Sequence, residues 1–258
     1  WDFTRINGIK GIKKIKRSKV FYKNLFLPGS KLNFAKNLLL KNDKMNNNIC
    51  KMVARLKPKK FIVVSSACVY PPHGNKTLRE SMVGPVDFHS SVKYSALAKL
   101  NLFDLVKAMG IDFEYLIVSN AYGPGEHTDL EKSHLIGSLI TKIKDNQNKL
   151  KMFGTGIGVR DYIYIEDVAE AICKYCELLH TTDSITNISN GQGISVKEIT
   201  EKLLAYSNKQ LVVEWGTEKD DGVKYKVLDN TKMTRDIGFT PKVKIDDGLL
   251  DTWRHLNA

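Results

Sequence analysis

The sequence predicts an α/β fold built on a parallel sheet, and two patterns carry that prediction. Short β-branched and aromatic runs ending in small polar residues, FIVVSS at 61–66 and DFEYLIVS at 112–119, are typical of buried parallel strands. Longer segments with apolar residues at helical spacing separate such runs. Because strands that alternate with helices usually pair in one direction, we expect a parallel sheet covered by helices.

The predicted elements alternate along the chain. Residues 9–18 have a lysine-rich helical pattern, and residues 20–27 are strand-like up to a Pro-Gly break. The segment 32–56 has helical periodicity, although three consecutive asparagines at 46–48 are poor helix formers. After the strand at 61–66 we expect a helix at 93–109, a strand at 112–119, a helix at 134–146, a strand at 160–167, a helix at 167–180, and short strands and helices beyond.

The formal charge of +12 belongs to one end of the 258-residue chain. Residues 1–60 hold 17 lysines and arginines against two acids, a local charge of +15, so the other 198 residues carry −3. Nucleic-acid binders combine such basicity with interleaved aromatic residues or a reading motif, and the basic segment has neither. We interpret it as a lysine-rich solvated face and expect no nucleic-acid partner.

Hydropathy and cysteine usage indicate a cytoplasmic protein without a membrane segment. The longest apolar stretch, 61–70, is about half of what a membrane-spanning helix needs. Four cysteines are too few for a disulfide scaffold. Cys173 and Cys176 fall in an apolar-periodic helix without a second ligand pair at matching spacing, so we expect core packing there and no metal site.

The residues that follow the two buried strands are the candidates for chemistry, because open α/β sheets bind ligands beyond the carboxyl ends of their strands. SSACVYPP at 65–72 offers two hydroxyls and a thiol, and SNAYGPGEHTDLEKSH follows the second strand at 119–134. Between them, Tyr94 and Ser95 precede Lys99. A serine, a tyrosine and a lysine can together move a proton to or from a sugar hydroxyl or carbonyl.

Several segments together resemble the extended short-chain dehydrogenases/reductases that act on nucleotide sugars, the NAD-dependent epimerase/dehydratase family. They stand in the family's order from about residue 20 to the end: SSACVYP, YSALAK, NAYGPGEHTDLEKSHLI, GTGIGVRDYIYIEDVAEAI, NISNGQGISVKEI and DGVKYKVLDNTKMTRDIGFTP. The resemblance implies a Rossmann-like, doubly wound parallel sheet with a smaller C-terminal α/β substrate domain. It assigns residues 1–122 and 159–182 to dinucleotide binding, and residues 123–158 and 183–258 to the nucleotide-sugar substrate.

Within the family, the motifs are most similar to those of GDP-fucose synthases and GDP-mannose 3,5-epimerases. Both groups place a cysteine two residues after the active-site serine, which implies catalytic roles for Ser66 and Cys68. Their second acid/base follows the YGP turn and matches His134 in the first group and Lys132 in the second. Epimerisation beside a ketone needs one group to remove a proton and another to return one on the opposite face. The resemblance therefore implies that Cys68 works with His134 or Lys132.

The resemblance also implies that Ser66, a tyrosine and Lys99 handle the carbonyl and a hydride from NADP or NAD, with cofactor contacts from Ser65, Tyr94, Lys99 and Asn120. The family's tyrosine lies four residues before its lysine, about 40° away around the helix. Tyr94 lies five residues before Lys99, about 140° away, and Ser95 takes the four-residue position. We expect an irregular first turn that lets Tyr94 serve; the alternative is that the phenol is lost.

A second departure is the absence of the glycine-rich dinucleotide fingerprint. The family carries G-x-x-G-x-x-G after its first strand, where backbone N–H groups hold the pyrophosphate. Gly8 and Gly11 have no strand before them, whereas Gly154, Gly156 and Gly158 precede a strand instead of a helix. With the start at Trp1, this predicts that the first strand, loop and helix lie outside this sequence.

On the substrate side, the resemblance implies contacts of Arg160 with the diphosphate, of Asn120 with the sugar, and of Lys226 with the nucleotide. We also expect a homodimer formed by the helix of Lys99 and the preceding helix. The predicted activity is that of an epimerase/reductase acting on a GDP-4-keto-6-deoxyhexose. The alternatives are another nucleotide-sugar epimerase or dehydratase of the same fold, or a truncated, non-catalytic relic.

Overall fold

The computed structural model describes residues 19–23, 32–84, 87–88, 92–130, 133–179, 184–216 and 222–257. The helices in these ranges are α1 Leu32–Leu56, α2 Lys93–Ala108, α3 Leu135–Asp145, α4 Ile165–Glu177, α5 Val196–Ser207, α6 Thr231–Ile237 and α7 Ile245–Asn257. The strands are β1 Lys19–Lys23, β2 Lys60–Ser66, β3 Phe113–Val118, β4 Asn120–Tyr122, β5 Lys149–Phe153, β6 Val159–Tyr164, β7 Ser184–Ile188, β8 Gly193–Ser195, β9 Val212–Gly216 and β10 Tyr225–Lys226. Strands and helices thus alternate as the sequence predicts.

Parallel pairing dominates the sheets. The main sheet has the strand order β1-β2-β3-β7, with every neighbouring pair parallel. A second sheet has the order β10-β6-β4, also parallel, and β8 joins β6 in the antiparallel direction. Strands β5 and β9 form a separate parallel pair. The predicted α/β class with a parallel sheet is confirmed.

The main sheet is covered on both faces, which explains the continuous apolar runs of its strands. Alternate residues of β2 enter different cores, with Phe61 and Val63 in one and Ile62 and Val64 in the other. Strand β3 divides in the same way. A strand buried on both faces has no polar side to show, so it lacks the alternation of a half-exposed strand.

Helix α1 continues through the three asparagines that weaken its sequence pattern. The Asn46 side chain is fully buried, and its Nδ2 donates a hydrogen bond of 2.9 Å to the carbonyl oxygen of Ala98 in α2. Asn47 donates to the Asp43 carbonyl one turn earlier, also at 2.9 Å. The packing of α1 on α2 therefore uses an asparagine where helix propensity alone would disfavour one.

Other sequence predictions have different outcomes. The lysine-rich helical pattern at 9–18 and residues 24–27 of the first strand pattern lie outside the described residues. Strand β6 pairs with the short strand β4 and with β8 and β10 of the C-terminal region, instead of extending the main sheet. Cys176 is buried on α4, where its Sγ lies 3.0 Å from the Ile172 carbonyl oxygen. No helix in the described ranges is long and apolar enough to cross a membrane.

Candidate active site

Strand β2 ends in a tight turn that brings a hydroxyl and a thiol to the carboxyl edge of the main sheet. The chain is buried up to Ser65 and then forms one 3₁₀ turn, Ala67–Val69. Ala67 and Val69 point into the core, whereas Cys68 between them is only half-buried. The turn therefore anchors itself with its two apolar residues and leaves Ser66 and Cys68 at the edge where ligands of such sheets bind.

Four side chains at this edge form one hydrogen-bonded series, which we call the thiol network: Lys99, Ser95, Cys68 and Ser66. Lys99 Nζ donates to Ser95 Oγ at 3.0 Å. Ser95 Oγ lies 3.9 Å from Cys68 Sγ, within the range of hydrogen bonds to sulfur, and Cys68 Sγ lies 3.0 Å from Ser66 Oγ. Three of the residues predicted to be catalytic, Ser66, Cys68 and Lys99, are thus together, joined by Ser95.

The position four residues before Lys99 belongs to Ser95 in space as well as in sequence. The first turn of α2 is regular, because the backbone N–H of Ala96 bonds to the carbonyl oxygen of Val92 at 2.9 Å. Ser95 and Lys99 consequently share one buried helix face, and Tyr94 lies on a neighbouring, half-buried face. The predicted irregular first turn is therefore wrong, and the structure brings Ser95 to the lysine. The catalytic role of Tyr94 stays a prediction.

Tyr115 on β3 supports the helix turn that carries Lys99, and it is not among the residues predicted from the sequence. Its phenol donates to the carbonyl oxygen of Lys99 at 2.7 Å and accepts from Ser65 Oγ at 2.9 Å. Burial raises the pKa of Tyr115 above its usual range, so the phenol stays protonated. The hydroxyl of Ser65, predicted to contact a cofactor, is therefore directed to Tyr115. In the sequence Tyr115 is one apolar-strand residue among others, and its role comes from partners that are distant along the chain.

Two cations are neighbours on the second sheet, and we call Arg160 and Lys226 the cationic pair. They are register partners on the parallel strands β6 and β10, so both side chains leave the sheet on the same side. Burial lowers the pKa of Lys226, the nearby Cys68 counteracts this shift, and Arg160 lowers the pKa further. Besides burial, the thiol of Cys68 and the guanidinium of Arg160 are therefore the groups that influence the charge of Lys226.

Asp161, which the sequence analysis did not single out, ties the second sheet to its surroundings. Its Oδ1 accepts from Ser119 Oγ and from the backbone N–H of Asn190, both at 3.1 Å. Its Oδ2 accepts from the backbone N–H groups of Gly191 at 3.0 Å and Leu228 at 3.3 Å. Burial raises the pKa of Asp161 to about 6, and these four hydrogen bonds oppose the shift.

Asn120, predicted to contact both cofactor and sugar, lies on β4 beside this carboxylate. The half-buried side chain donates from Nδ2 to the carbonyl oxygen of Asp161 at 2.8 Å. That bond fixes the plane of the Asn120 amide against the neighbouring strand β6 of the second sheet. Asn120 thus occupies the same carboxyl edge as the thiol network, although it is not one of its members.

The second predicted acid/base lies at the start of α3. His134 is exposed at the N-terminal boundary of the helix, where its carbonyl oxygen accepts from the Ser138 N–H at 2.9 Å. It lies outside the thiol network as defined above. Lys132, the alternative acid/base, is outside the described residues.

Gly137 sets the position of this helix, and we expect Gly137→Ala to lower the free energy of unfolding by about 1–2 kcal/mol. A Cβ at this position would lie 2.6 Å from Glu126 Cγ and would also overlap the carbonyl oxygen of His127. This overlap outweighs the better helix propensity of alanine, about 1 kcal/mol. Urea unfolding measures the difference. Gly84→Ala is the matched control, because a Cβ there meets nothing within 4 Å; equal stability of Gly137→Ala and the wild type would refute the prediction.

An exposed aromatic ring on β5 is a further feature that the sequence analysis missed. Leu150 and Met152 point inward, and Phe153 on the outer face is 64% exposed. Lys142 Nζ lies 5.0 Å from the centre of its ring. The ring borders a groove of about 650 Å³ whose other lining residues are Leu130, Lys142, Asn146, Gln147, Asn148, Lys149 and Lys151. The alternation in KLKMF places an aromatic residue on the solvent-facing side of the strand, and this pattern could have identified Phe153 from the sequence.

Comparisons with known proteins agree on one protein family. Residues 26–189 match the NAD dependent epimerase/dehydratase family. GDP-L-fucose synthase 1 of Arabidopsis thaliana is 26% identical over 207 residues, which are 76% of this chain and 62% of the relative. GDP-L-fucose synthase of Sinorhizobium fredii is 27% identical, over 81% of this chain and 68% of the relative. The chain spans about three-fifths of the length of the plant relatives that it matches.

Solved structures share the fold. A GDP-6-OMe-4-keto-L-xylo-heptose reductase from C. jejuni superimposes with a TM-score of 0.84 at 18% identity, covering 96% of this chain and 84% of the other. An NADP-bound GDP-L-fucose synthetase from Naegleria fowleri gives 0.82 at 21% identity, covering 93% and 77%. These neighbours confirm the Rossmann-like arrangement expected from the motifs. The sequence match over most of the length establishes that the chain belongs to the NAD dependent epimerase/dehydratase family.

Proposed function

We propose that the protein is a nucleotide-sugar epimerase/reductase that acts on a GDP-4-keto-6-deoxyhexose with NADP or NAD. The observation that carries the proposal is the thiol network at the carboxyl edge of the main sheet, with Lys226 of the cationic pair interacting electrostatically with Cys68. It combines a proton-transfer group with cations suited to a phosphorylated substrate. The relatives named GDP-L-fucose synthase and GDP-L-colitose synthase support the choice of a GDP-sugar.

Cys68 is the proposed base for the first proton transfer. Its thiolate removes a proton from a carbon beside the ketone: the C–H bond breaks, the S–H bond forms, and the electron pair moves onto the carbonyl oxygen. The hydroxyl of Ser66 is placed to donate a hydrogen bond to that developing oxyanion. His134 or Lys132 then returns a proton to the opposite face, which inverts the carbon.

The described residues fit the nicotinamide end of a dinucleotide cofactor. Lys99 contributes a buried ammonium, and Ser66 and Ser95 contribute hydroxyls, at the ends of parallel strands where such cofactors bind. When bound, the cofactor would supply the hydride that reduces the carbonyl carbon. Lys99 would bind its ribose hydroxyls, Ser66 would orient the carbonyl, and Tyr94 remains the expected proton donor to the carbonyl oxygen.

The cationic pair is the proposed diphosphate site. Arg160 offers a planar fork for two phosphate oxygens, and Lys226 adds a point charge beside it. The loop 154–158 leads from Phe153 to β6, so the exposed ring of Phe153 is available to stack on the nucleotide base. Asn120 would contact the sugar between these groups and the thiol network.

Hydrogen–deuterium exchange tests this function. The protein is incubated in D₂O with GDP-4-keto-6-deoxymannose, with and without NADPH, and followed by NMR. We expect deuterium at the carbons on either side of the ketone, C3 and C5, and a reduced sugar only with NADPH. The proposal fails if no GDP-4-keto sugar takes up deuterium.

The same experiment separates the alternatives. Exchange only with sugars of another nucleotide, or at a different carbon, would indicate another epimerase or dehydratase of this family. Absence of exchange together with absence of NADP binding in a fluorescence titration would indicate a non-catalytic relic. Tight NADP binding by this chain would contradict the hypothesis of a non-catalytic relic.

We also propose that residues 1–122 and 159–182 bind the dinucleotide, that residues 123–158 and 183–258 bind the nucleotide sugar, and that the protein is a cytoplasmic homodimer. Met52 and Leu56, one turn apart on α1 and 39% and 60% exposed, support an interface on this helix. Light scattering coupled to gel filtration is expected to give twice the mass of one chain. A monomer at micromolar concentration would contradict the homodimer.

A further inference from the structure

We propose that Ser95 is a positioning residue that couples Lys99 to Cys68. Its hydroxyl accepts a hydrogen bond from Lys99 and donates one towards Cys68, and this keeps the thiol reactive. The inference rests on the proposed function in one respect, since it concerns the group that removes the substrate proton there. It adds a role for a serine at the position where the family's phenol is expected, on the same helix face as the lysine.

The first argument is the direction of the hydrogen bonds. Lys99 Nζ is a donor only, so at 3.0 Å the Ser95 oxygen is the acceptor. The hydroxyl hydrogen of Ser95 then remains to be donated, and Cys68 Sγ lies 3.9 Å away. Ser95 can therefore accept a hydrogen bond from the lysine and donate one towards the thiol at the same time.

The second argument is the contrast in burial along the network. Ser95 and Lys99 are each 5% exposed, whereas Cys68 and Ser66 are half-buried at the sheet edge. The ammonium therefore lies where water screens it little, and the thiol lies where a substrate reaches it. One hydroxyl spans the distance between them.

The third argument is that the neighbouring groups hold Ser95 in place. Tyr115 donates to the Lys99 carbonyl oxygen, and Ser65 donates to Tyr115, which fixes this turn of α2 against β3. Besides Lys99, which acts through Ser95, Lys226 from β10 and Tyr115 from β3 interact electrostatically with Cys68. Tyr115 is protonated and neutral, so Lys226 is the second source of positive charge, and the test must separate it from Lys99.

Alkylation of Cys68 by iodoacetamide tests the inference on the chain itself, with the modified peptide quantified by mass spectrometry between pH 6 and pH 10. Cys50 and Cys173 are internal standards, because burial raises the pKa of both thiols. We expect Cys68 to react at least tenfold faster than either at pH 7. Ser95→Ala and Lys99→Met should each slow Cys68 at least fivefold at pH 7, and raising the pH to 10 should remove most of the difference.

Two isosteric variants keep the test decisive if alanine at position 95 disturbs the helix. Ser95→Thr keeps the hydroxyl and Ser95→Val has the same shape without it, so Thr should react at near the wild-type rate and Val at the slow rate. Equal rates for Thr and Val overturn the proposal. Slowing by Lys226→Met alone, with none from Lys99→Met, assigns the effect to Lys226 and also overturns it.

The alkylation result is independent of the deuterium-exchange result. A hydroxyl-dependent Cys68 in a protein that exchanges no substrate proton would uphold the role of Ser95 and refute the proposed reaction. If deuterium exchange occurs but substitution of Ser95 leaves the alkylation rate of Cys68 unchanged, the role of Ser95 is refuted and the proposed reaction is upheld.

Discussion

Asp161→Ala is expected to lower the free energy of unfolding by about 3 kcal/mol at pH 7. The carboxylate is the shared acceptor for the Ser119 hydroxyl and three backbone N–H groups, and it is fully buried. Alanine would leave these donors without that acceptor in a region that water does not reach, at about 1–3 kcal/mol for each donor that fails to find another partner. Urea unfolding followed by circular dichroism measures the loss.

The pH dependence of this loss follows from the pKa of Asp161, which burial raises to about 6 from the ordinary 3.8. A raised folded-state pKa means that the stabilising contribution is complete below about pH 3.8 and is lost as the pH rises through about 6. The difference between wild type and Asp161→Ala should therefore be about 1 kcal/mol larger at pH 5 than at pH 8. Asp112→Ala, at an exposed carboxylate, is the control and should change stability little; a similar small loss for Asp161→Ala would refute the argument.

Cys68→Ala is expected to slow deuterium exchange into the keto-sugar by about 10³-fold, because a positioned base typically contributes 10²–10⁴. The thiol lies 3.0 Å from Ser66 Oγ at the edge of the main sheet, and its removal leaves that hydroxyl next to an empty space. Binding by Arg160 and Lys226 should persist, so affinity for GDP should change less than twofold. NMR of the exchanged sugar and calorimetry with GDP give the two quantities.

Cys173→Ala is the matched control for this variant. Cys173 is also half-buried, but it lies on α4, and burial together with Glu177 and Glu170 raises the pKa of its thiol. It should keep wild-type exchange. Full exchange by Cys68→Ala would remove Cys68 from the mechanism, whereas a parallel loss in both variants would indicate a general effect on the fold.

The alternation of strands and helices was predictable because the main sheet is buried on both faces. Runs such as 61–66 and 113–118 have no polar face, and this signature is visible without a structure. The separation of β4 and β6 from that sheet was not visible, because RDYIYIED has the same local pattern as a strand of the main sheet. Strand β6 instead pairs with β8 and β10, which lie far from it in the sequence.

The site divides in a similar way. The motifs name Ser66, Cys68, Lys99 and Arg160 as candidates: Ser66 and Cys68 lie where β2 ends, Lys99 lies in α2, and Arg160 lies near the start of β6. Tyr115 and Asp161 could not be located, since a tyrosine or aspartate inside an apolar strand acquires its role from partners such as the Lys99 and Leu228 backbone groups. The spacing of Ser95 to Lys99 was visible, but its contact with Cys68 depends on how α2 packs on the turn after β2.

Strand β10 pairs with β6, and hydrogen bonds of the next three residues fix the chain directly after it. Its neighbour Leu228 donates to Asp161, Leu78 donates to the Val227 carbonyl oxygen at 2.8 Å, and Asp229 donates back to Leu78 at 2.9 Å. Lys226 is therefore fixed at its backbone before any anion arrives. A diphosphate binding there would not have to order a mobile segment, so little of its binding energy would be offset by lost conformational entropy. The proposed phosphate recognition at this edge would thus rest on a backbone that is already ordered.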